Sequence, residues 1–190
     1  LGYLPFDYHE SVSHSLDYSY SDFCIASLAN KLQQEQVAQR YSQQSLNYQH
    51  LFDPETGYIR AKDRNGQFRP DFSPYTWGRD YAECSAIQNT LSVFHDIEGL
   101  KNLMGGQTAF TDYLIKLCQD QPSYDVTGYG YEIHEMSEMA TAHFGQLAIS
   151  NQPSFHIPYL FRYSDKPEYT SLLIKSLREQ GFRPGWQAFP

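Results

Sequence analysis

Residues 10–32 read ESVSHSLDYSYSDFCIASLANKL. Within them Leu16, Tyr20, Phe23, Ile25, Ala26, Leu28, Ala29 and Leu32 recur at helical spacing, and no alternation of strand type competes. The stretch is predicted to be a helix with that stripe as its core face. A second, polar-rich helix over residues 34–51 carries Val37, Tyr41, Leu46 and Tyr48, and the two together read as a helical hairpin.

Beyond the hairpin the pattern breaks. Asp53-Pro54, Gly57, Asn65-Gly66, Pro70 and Pro74 are turn formers, so a long ordered loop is expected near residues 52–78. Such loops over a helical scaffold often carry function, which draws attention to the segment that follows. Residues 79–94 are predicted to be a helix, with Tyr81, Cys84, Ile87, Leu91 and Phe94 on one stripe and Glu83 off it. Asp96 is a good N-cap for a short helix through Leu103, stopped by Gly105-Gly106. Further helices are expected near 108–118, 133–148, 154–163 and 168–180, the third capped by Ser154 after Pro153. No strand of useful length and no internal repeat is visible, and successive helix pairs predict an all-α, layered α/α arrangement.

Composition bounds the rest. The chain has 190 residues, 41% hydrophobic and 16% aromatic, enough for one domain with a real core. A net charge of -8 with 14 scattered basic residues argues against nucleic acid as a partner. No apolar run approaches the roughly 20 residues of a membrane span, and LGYLPFDYHE lacks the basic and apolar regions of a leader, so no membrane partner is expected. Cys24, Cys84 and Cys118 form neither a disulfide framework nor a metal pattern and read as small core residues. Sixteen Tyr, 12 Phe and 2 Trp beside many Gln, Asn, Ser and His suit sugar recognition, a mixture that ordinary aromatic cores share.

Several constellations invite a chemical reading. His134-Glu135-Met136-Ser137-Glu138 begins like the HExxH zinc motif but has Glu at the second histidine position, so a hydrogen-bonded surface pair is the expected meaning. Ser11, Ser13, His14 and Asp17 lack a nucleophile elbow. His95 and His156 each read either as a structural hydrogen-bonder or as a site residue. The carboxylates are the more informative class, because glycoside cleavage needs one carboxylic acid to protonate the leaving oxygen and one carboxylate to activate water. Glu83, expected on a helix among aromatic residues, fits the acid's requirement for desolvation.

A series of motifs then falls in register. Gly2-Tyr3-Leu4-Pro5-Phe6-Asp7, Glu10-Ser11-Val12-Ser13 and Leu16–Phe23 open the chain, followed by Asn47-Tyr48 and Leu51-Phe52-Asp53-Pro54-Glu55-Thr56-Gly57. Asp80-Tyr81-Ala82-Glu83 with Gln88, His95-Asp96, Gly99-Leu100 and Leu103-Met104-Gly105-Gly106 come next. Phe144-Gly145-Gln146, Asn151, Pro153-Ser154, His156, Tyr159-Leu160 and Lys166-Pro167 complete the set. In this order, over essentially the whole chain, they resemble family 92 of the glycoside hydrolases, calcium-dependent exo-α-mannosidases.

The resemblance implies part of an (α/α)6 toroid and an inverting hydrolase of terminal α-linked mannose, with a mannose-containing glycan as partner. It makes Glu83 the general acid, Gln88, Gln152, His156 and His95 substrate contacts, and Asn151 a ligand of Ca2+, the implied cofactor. Three departures qualify it: Ile87 stands where many members have Trp, Ile149-Ser150-Asn151-Gln152 replaces His-Gly-Asn-Glu, and Gly185–Pro190 resembles the approach to an acidic stretch that holds the base. The expectation is a single all-helical portion, residues 1–190, ending before that base and inert alone, able to self-associate through the surface left uncovered. The first two departures point to a linkage other than α-1,2. Secretion or the cell surface is slightly favoured for the parent, with the cytoplasm open. The competing reading is a non-catalytic helical carbohydrate-binding or scaffold domain; an enzyme must bring Glu83, Asn151, His95 and His156 to one concave face, whereas a scaffold lets them scatter. A different (α/α)6 glycosidase or lyase would keep the fold and change the sugar.

Overall fold

A computed structural model describes residues 1–182 of the chain. Helix α1 (Ser11–Lys31) meets helix α2 (Glu35–Gln44) through a tight connection closed by a Gln34 N–H to Ala29 O bond of 2.9 Å, and the two pack together as the expected hairpin. The second helix is shorter than the sequence suggested. After Gln44 a 3-10 turn, Asn47–Leu51, drops Tyr48 and Leu51 into the core.

Helix α1 lies where expected, but its buried face is only partly the predicted stripe: Leu16, Ala26 and Ala29 are buried, and the other five residues of the stripe are exposed. Its buried residues are Ser11, Val12, Ser13, Ser15, Leu16, Ser19, Ala26 and Ala29, whereas Tyr20, Phe23, Ile25, Leu28 and Leu32 are exposed. Ser15 Oγ donates to the Ser11 carbonyl at 2.6 Å and Ser19 Oγ to the Ser15 carbonyl at 3.1 Å, so these hydroxyls enter the core already satisfied. Their small size also lets neighbouring chain approach, and the Leu4 N–H reaches Ser15 Oγ at 2.9 Å. Apolar spacing located the helix, but a buried face built on serine is invisible to it.

The 52–78 loop contains short strands, which the sequence did not show. Strands β1 (Phe52–Asp53) and β2 (Tyr58–Ile59) pair antiparallel, and the Asp53 carboxylate organises their turn, accepting from Glu55 N–H at 3.0 Å and Thr56 Oγ1 at 2.8 Å and pairing with Arg60. Strand β3 (Thr76–Gly78) pairs in parallel with β4 (Asp125–Gly128), clasped by Thr76 Oγ1 donating to Asp125 at 2.6 Å. Strands this short leave no alternation to detect.

The helix expected over 79–94 is the largest correction. Only α3 (Ala86–Asn89) is helical, started by a capping box between Ser85 and Gln88. Residues 79–83 form an irregular stretch because distant groups claim their polar atoms. Glu10 N–H donates to Arg79 O at 2.8 Å, Val12 N–H to Asp80 O at 3.0 Å, and Ala82 N–H to Ser13 Oγ at 2.9 Å. Arg69 grips the Asp80 carboxylate with two bonds of 2.9 Å.

The remainder follows expectation more closely. Asp96 caps α4 (Ile97–Leu103) by accepting from Gly99 N–H at 2.9 Å, and α5 (Gln107–Gln119) buries Phe110, Leu114 and Leu117. Helix α6 (His134–Ala142) stops early, where His143 turns left-handed at φ 60. A 3-10 turn at Gln152–Ser154 precedes α7 (Ile157–Leu160), and its cap is Asn151, not Ser154, whose Oγ is buried without a partner. Helix α8 (Glu168–Ser176) runs on into a π turn at Leu177–Gly181. Cys84 is a core residue as anticipated, but Cys24 is exposed. The main core gathers Val12, Tyr48, Ile59, Leu91, Phe110, Leu147 and Ile157, and a smaller cluster of Trp77, Met136, Met139 and Ala148 supports β3 and β4. The all-α class stands, with the strands as stitches in loops.

Candidate active site

A cleft of about 580 Å³ opens beside the first turns of α1, lined by Glu10, Ser13, Leu16, Asp17, Ala82, Glu83, Asn89, Ser92, Phe94, Gln152 and Pro153. Three carboxylates and several neutral hydrogen-bonding groups face it, and no cation among the described residues does. Two other hollows of about 410 and 510 Å³ are walled chiefly by Leu, Ile, Phe and Tyr, with no acid among the described residues that line them. A sugar needs the first kind of surface, because each hydroxyl removed from water must find a new partner.

The expected helical, desolvated acid is not what the structure shows: Glu83 lies before the first residue of α3 and stands exposed in this cleft on a left-handed backbone, φ 51, because its peptide groups are bonded to distant segments, and Glu10, which also lines the cleft, has φ 53. Left-handed geometry costs an ordinary residue roughly 1–2 kcal/mol and persists only where surroundings impose it. For Glu83 those surroundings are visible. Its N–H donates to the Tyr129 hydroxyl at 2.9 Å, and its carbonyl accepts from Asn151 Nδ2 at 2.8 Å. Two distant segments thus clamp both sides of one residue and set the direction in which its side chain leaves the backbone. Burial pushes the Tyr129 phenol above its ordinary pKa, which keeps it neutral and available as the acceptor.

Asn151 is almost fully buried and spends both ends of its amide: Nδ2 on Glu83, and Oδ1 on the N–H of Gln152 at 2.9 Å. Its neighbour Gln152 projects into the cleft. The structure therefore brings Glu83, Asn151 and Gln152 together at one spot, across 68 residues of chain.

The other predicted contacts are placed differently. Gln88 is fully buried behind the cleft; its Oε1 accepts from Ser85 N–H at 2.9 Å and Nε2 donates to Gln146 O at 2.7 Å, so it ties α3 to the chain after α6. His95 is half-buried among Tyr20, Phe23 and Tyr48, with Nε2 donating to Ser45 O at 2.8 Å. His156 donates from Nε2 to Leu91 O at 2.9 Å, and burial lowers its pKa while that hydrogen bond works the other way. In both histidines one ring nitrogen serves the backbone, which is the structural role the sequence left open. His134 pairs with Glu138 at 3.1 Å on the exposed surface, as expected.

Sequence reasoning missed Glu10, Asp17, Ser13, Asn89 and Tyr129. Asp17 lines the cleft, and desolvation by the surrounding protein raises its carboxyl above the ordinary value, with His14 pulling against the shift. Asp17 lies on α1 and Glu10 is its left-handed N-cap, so the two reach the same cleft through tertiary structure and not through helical spacing. Tyr129 sits 46 residues from Glu83 and left no trace in the local pattern.

A model of the glycosyl hydrolase family 92 catalytic domain matches residues 1–190. The chain belongs to glycosyl hydrolase family 92. Among family 92 structures, the inverting mannosidase of Bacteroides thetaiotaomicron VPI-5482 is 36% identical with a TM-score of 0.83, over 100% of this chain and 26% of its own. A family 92 α-mannosidase of Bacteroides thetaiotaomicron in complex with mannoimidazole is 32% identical with a TM-score of 0.80, covering 94% of this chain and 24% of that one. An uncharacterized secreted glycosidase of Arthroderma benhamiae (strain ATCC MYA-4681 / CBS 112371) is 29% identical over 199 residues, 88% of this chain and 22% of the relative. The chain thus spans about a quarter of the length of the family 92 proteins it matches. Among the described residues, no helix is long and apolar enough to cross a membrane.

Proposed function

We propose that these residues form the acid side of the active site of an inverting exo-α-mannosidase acting on mannose-containing glycans. The observation that carries the reading is Glu83 itself, a carboxyl held on a costly backbone conformation by Tyr129 and Asn151 at the edge of a polar cleft. Glu83 donates its proton to the glycosidic oxygen as the bond to the terminal sugar breaks, and Gln152 offers its amide to a sugar hydroxyl beside it. Water attacks the anomeric carbon from the opposite face. In inverting enzymes the base that activates it stands about 6.5–9.5 Å from the acid, leaving room for that water. We assign the base to an Asp beyond residue 190, so that residues 1–190 hold only part of the catalytic machinery; the stretch at Gly185–Pro190 that prompts the assignment lies outside the described residues.

Calcium takes six to eight oxygen ligands. The described residues do not fit such a cage by themselves, since they contain no cluster of three or more His, Cys, Asp or Glu suited to a metal and the Asn151 oxygen already caps Gln152. Asn151 offers an ion one remaining lone pair, and no step here passes through the ion. Ile87 is buried in the core, so the substitution expected to alter the leaving-sugar contact acts there only indirectly; Gln152 is the departure that faces the cleft, and a linkage other than α-1,2 rests on it. The secreted relative supports export of the whole protein.

The test is Glu83→Gln in the full-length protein. Cleavage of mannosyl disaccharides should fall at least about 100-fold, the scale of general acid catalysis, while α-mannosyl fluoride, whose leaving group needs little protonation, is largely spared. Equal losses on both substrates would remove Glu83 from the acid's role.

A further inference from the structure

Residues 78–84 form a loop closed at its neck, where the Gly78 N–H donates to Cys84 O at 3.2 Å, and Glu83 stands beside that closure. A second segment, residues 125–130, is seated against it. The Thr76 hydroxyl clasps Asp125 at one end of the segment, and the N–H groups of Tyr129 and Gly130 turn back onto Val126 O at 3.1 and 2.7 Å. The fit leaves no room for side chains at two places: a Cβ on Gly128 would come within 2.0 Å of Trp77 O, and one on Gly78 within 2.7 Å of the Tyr129 ring. That ring also packs on the cluster of Trp77, Met136, Met139 and Ala148. The phenol oxygen thus has a fixed place that owes nothing to Glu83.

Satisfying a donor does not account for the bond this oxygen makes. Glu83 is exposed, so water could accept from its N–H, whereas the left-handed backbone that aims the N–H at Tyr129 costs at least as much as one such bond returns. A bond that water could replace sets a direction more than it adds stability. Glu83 has its preceding peptide held by Tyr129 and its following one by Asn151, which fixes both backbone angles and with them the line from Cα to Cβ. Releasing either peptide lets the residue relax toward the ordinary region and swings the carboxyl away. We infer that Tyr129 is a positioning residue for the proton transfer: through its hydroxyl the segment 125–130 keeps Glu83 aimed at the departing oxygen, and without that hydroxyl the acid is present but misaligned. Proton transfer needs the two heavy atoms within hydrogen-bond reach, so a small swing of the donor is felt in the rate.

This inference rests on the mannosidase reading, and the outcomes of one experiment tell them apart. Tyr129→Phe in the full-length protein keeps the ring and removes only the acceptor. Its kcat on a mannosyl disaccharide should fall about five- to tenfold, the scale of one hydrogen bond, while α-mannosyl fluoride, which needs little protonation, is cleaved within about twofold of the wild-type rate. In a Glu83→Gln background the same substitution should cost the disaccharide no more than about twofold further, because no proton remains to be aimed. The split between substrates decides even where the melting temperature drops, since a general loss of fold slows both. An unchanged disaccharide rate overturns the inference, and so does an equal loss on both substrates, which would mean that the hydroxyl serves the fold. A further five- to tenfold loss in the Glu83→Gln background also overturns it, by showing that Tyr129 acts apart from the acid. Those results leave the mannosidase reading standing, whereas a wild-type protein that cleaves neither substrate removes both.

Discussion

At the scale of single residues, the site depends on positions where local preference loses to distant partners. Glu83 has no intrinsic reason to be left-handed; it is so because Tyr129 and Asn151 hold its two peptide groups. His156 shows the same dependence in its chemistry. Burial holds its pKa below the ordinary imidazole value of about 6.5, so the folded state favours the neutral ring and the unfolded state takes up a proton more readily. Its contribution is complete above pH ~6.5 and is lost as pH falls through the depressed folded value. Melting temperature measured from pH 7.5 downward should therefore decline more steeply in the wild type than in His156→Gln, whose amide can still donate to Leu91 O. Parallel curves would mean the ring titrates alike folded and unfolded.

At the scale of elements, short helices stand on their caps. Helix α4 has seven residues and cannot hold itself together without help. Asp96 Oδ1 accepts from the Gly99 N–H at 2.9 Å and Oδ2 accepts from the buried Tyr48 hydroxyl at 2.8 Å, joining α4 to the turn after α2. Gly99 has no space for a side chain, since a Cβ there would come within 2.2 Å of the Asp96 carboxylate. Asp96→Ala removes a cap worth about 1 kcal/mol and strands a buried hydroxyl at about 1–3 kcal/mol, for a loss of roughly 2–4 kcal/mol. Asp96→Asn, which retains an acceptor for the cap, should lose clearly less. Urea unfolding midpoints of the wild type and the two variants give the comparison, and an Asp96→Ala midpoint equal to that of the wild type would show that the carboxylate's two bonds add nothing to α4.

At the scale of the whole molecule, α1 turns its serines inward and presents Tyr20, Phe23, Leu28 and Leu32 to the outside, with Val37 of α2 also exposed. Exposed apolar side chains in such number on one hairpin favour association. The chain matches only about a quarter of its relatives' length, and the base is assigned elsewhere in the parent. The 190-residue chain on its own should release no mannose from a disaccharide or a fluoride and should sediment as more than a monomer at micromolar concentration. Metal-dependent mannose release by this chain would place the base within it, with Glu10 and Asp17 as the carboxylates to test; a clean monomer would refute the association.

How much was legible divides along the range of the interactions involved. Helical periodicity, the Asp96 cap, the Gly105-Gly106 stop and the turn formers of residues 52–78 act within a few residues, so the sequence by itself determined the all-α class, most helix positions and, through the ordered motifs, the family. Which face of α1 is buried, the unwinding of residues 79–83, the inward placement of Gln88 and the companions of Glu83 were decided only by tertiary structure. Each depends on hydrogen bonds between groups far apart in the chain, such as Asn151 to Glu83 across 68 residues and Tyr129 across 46, and local propensities of well under 1 kcal/mol per residue do not outweigh them.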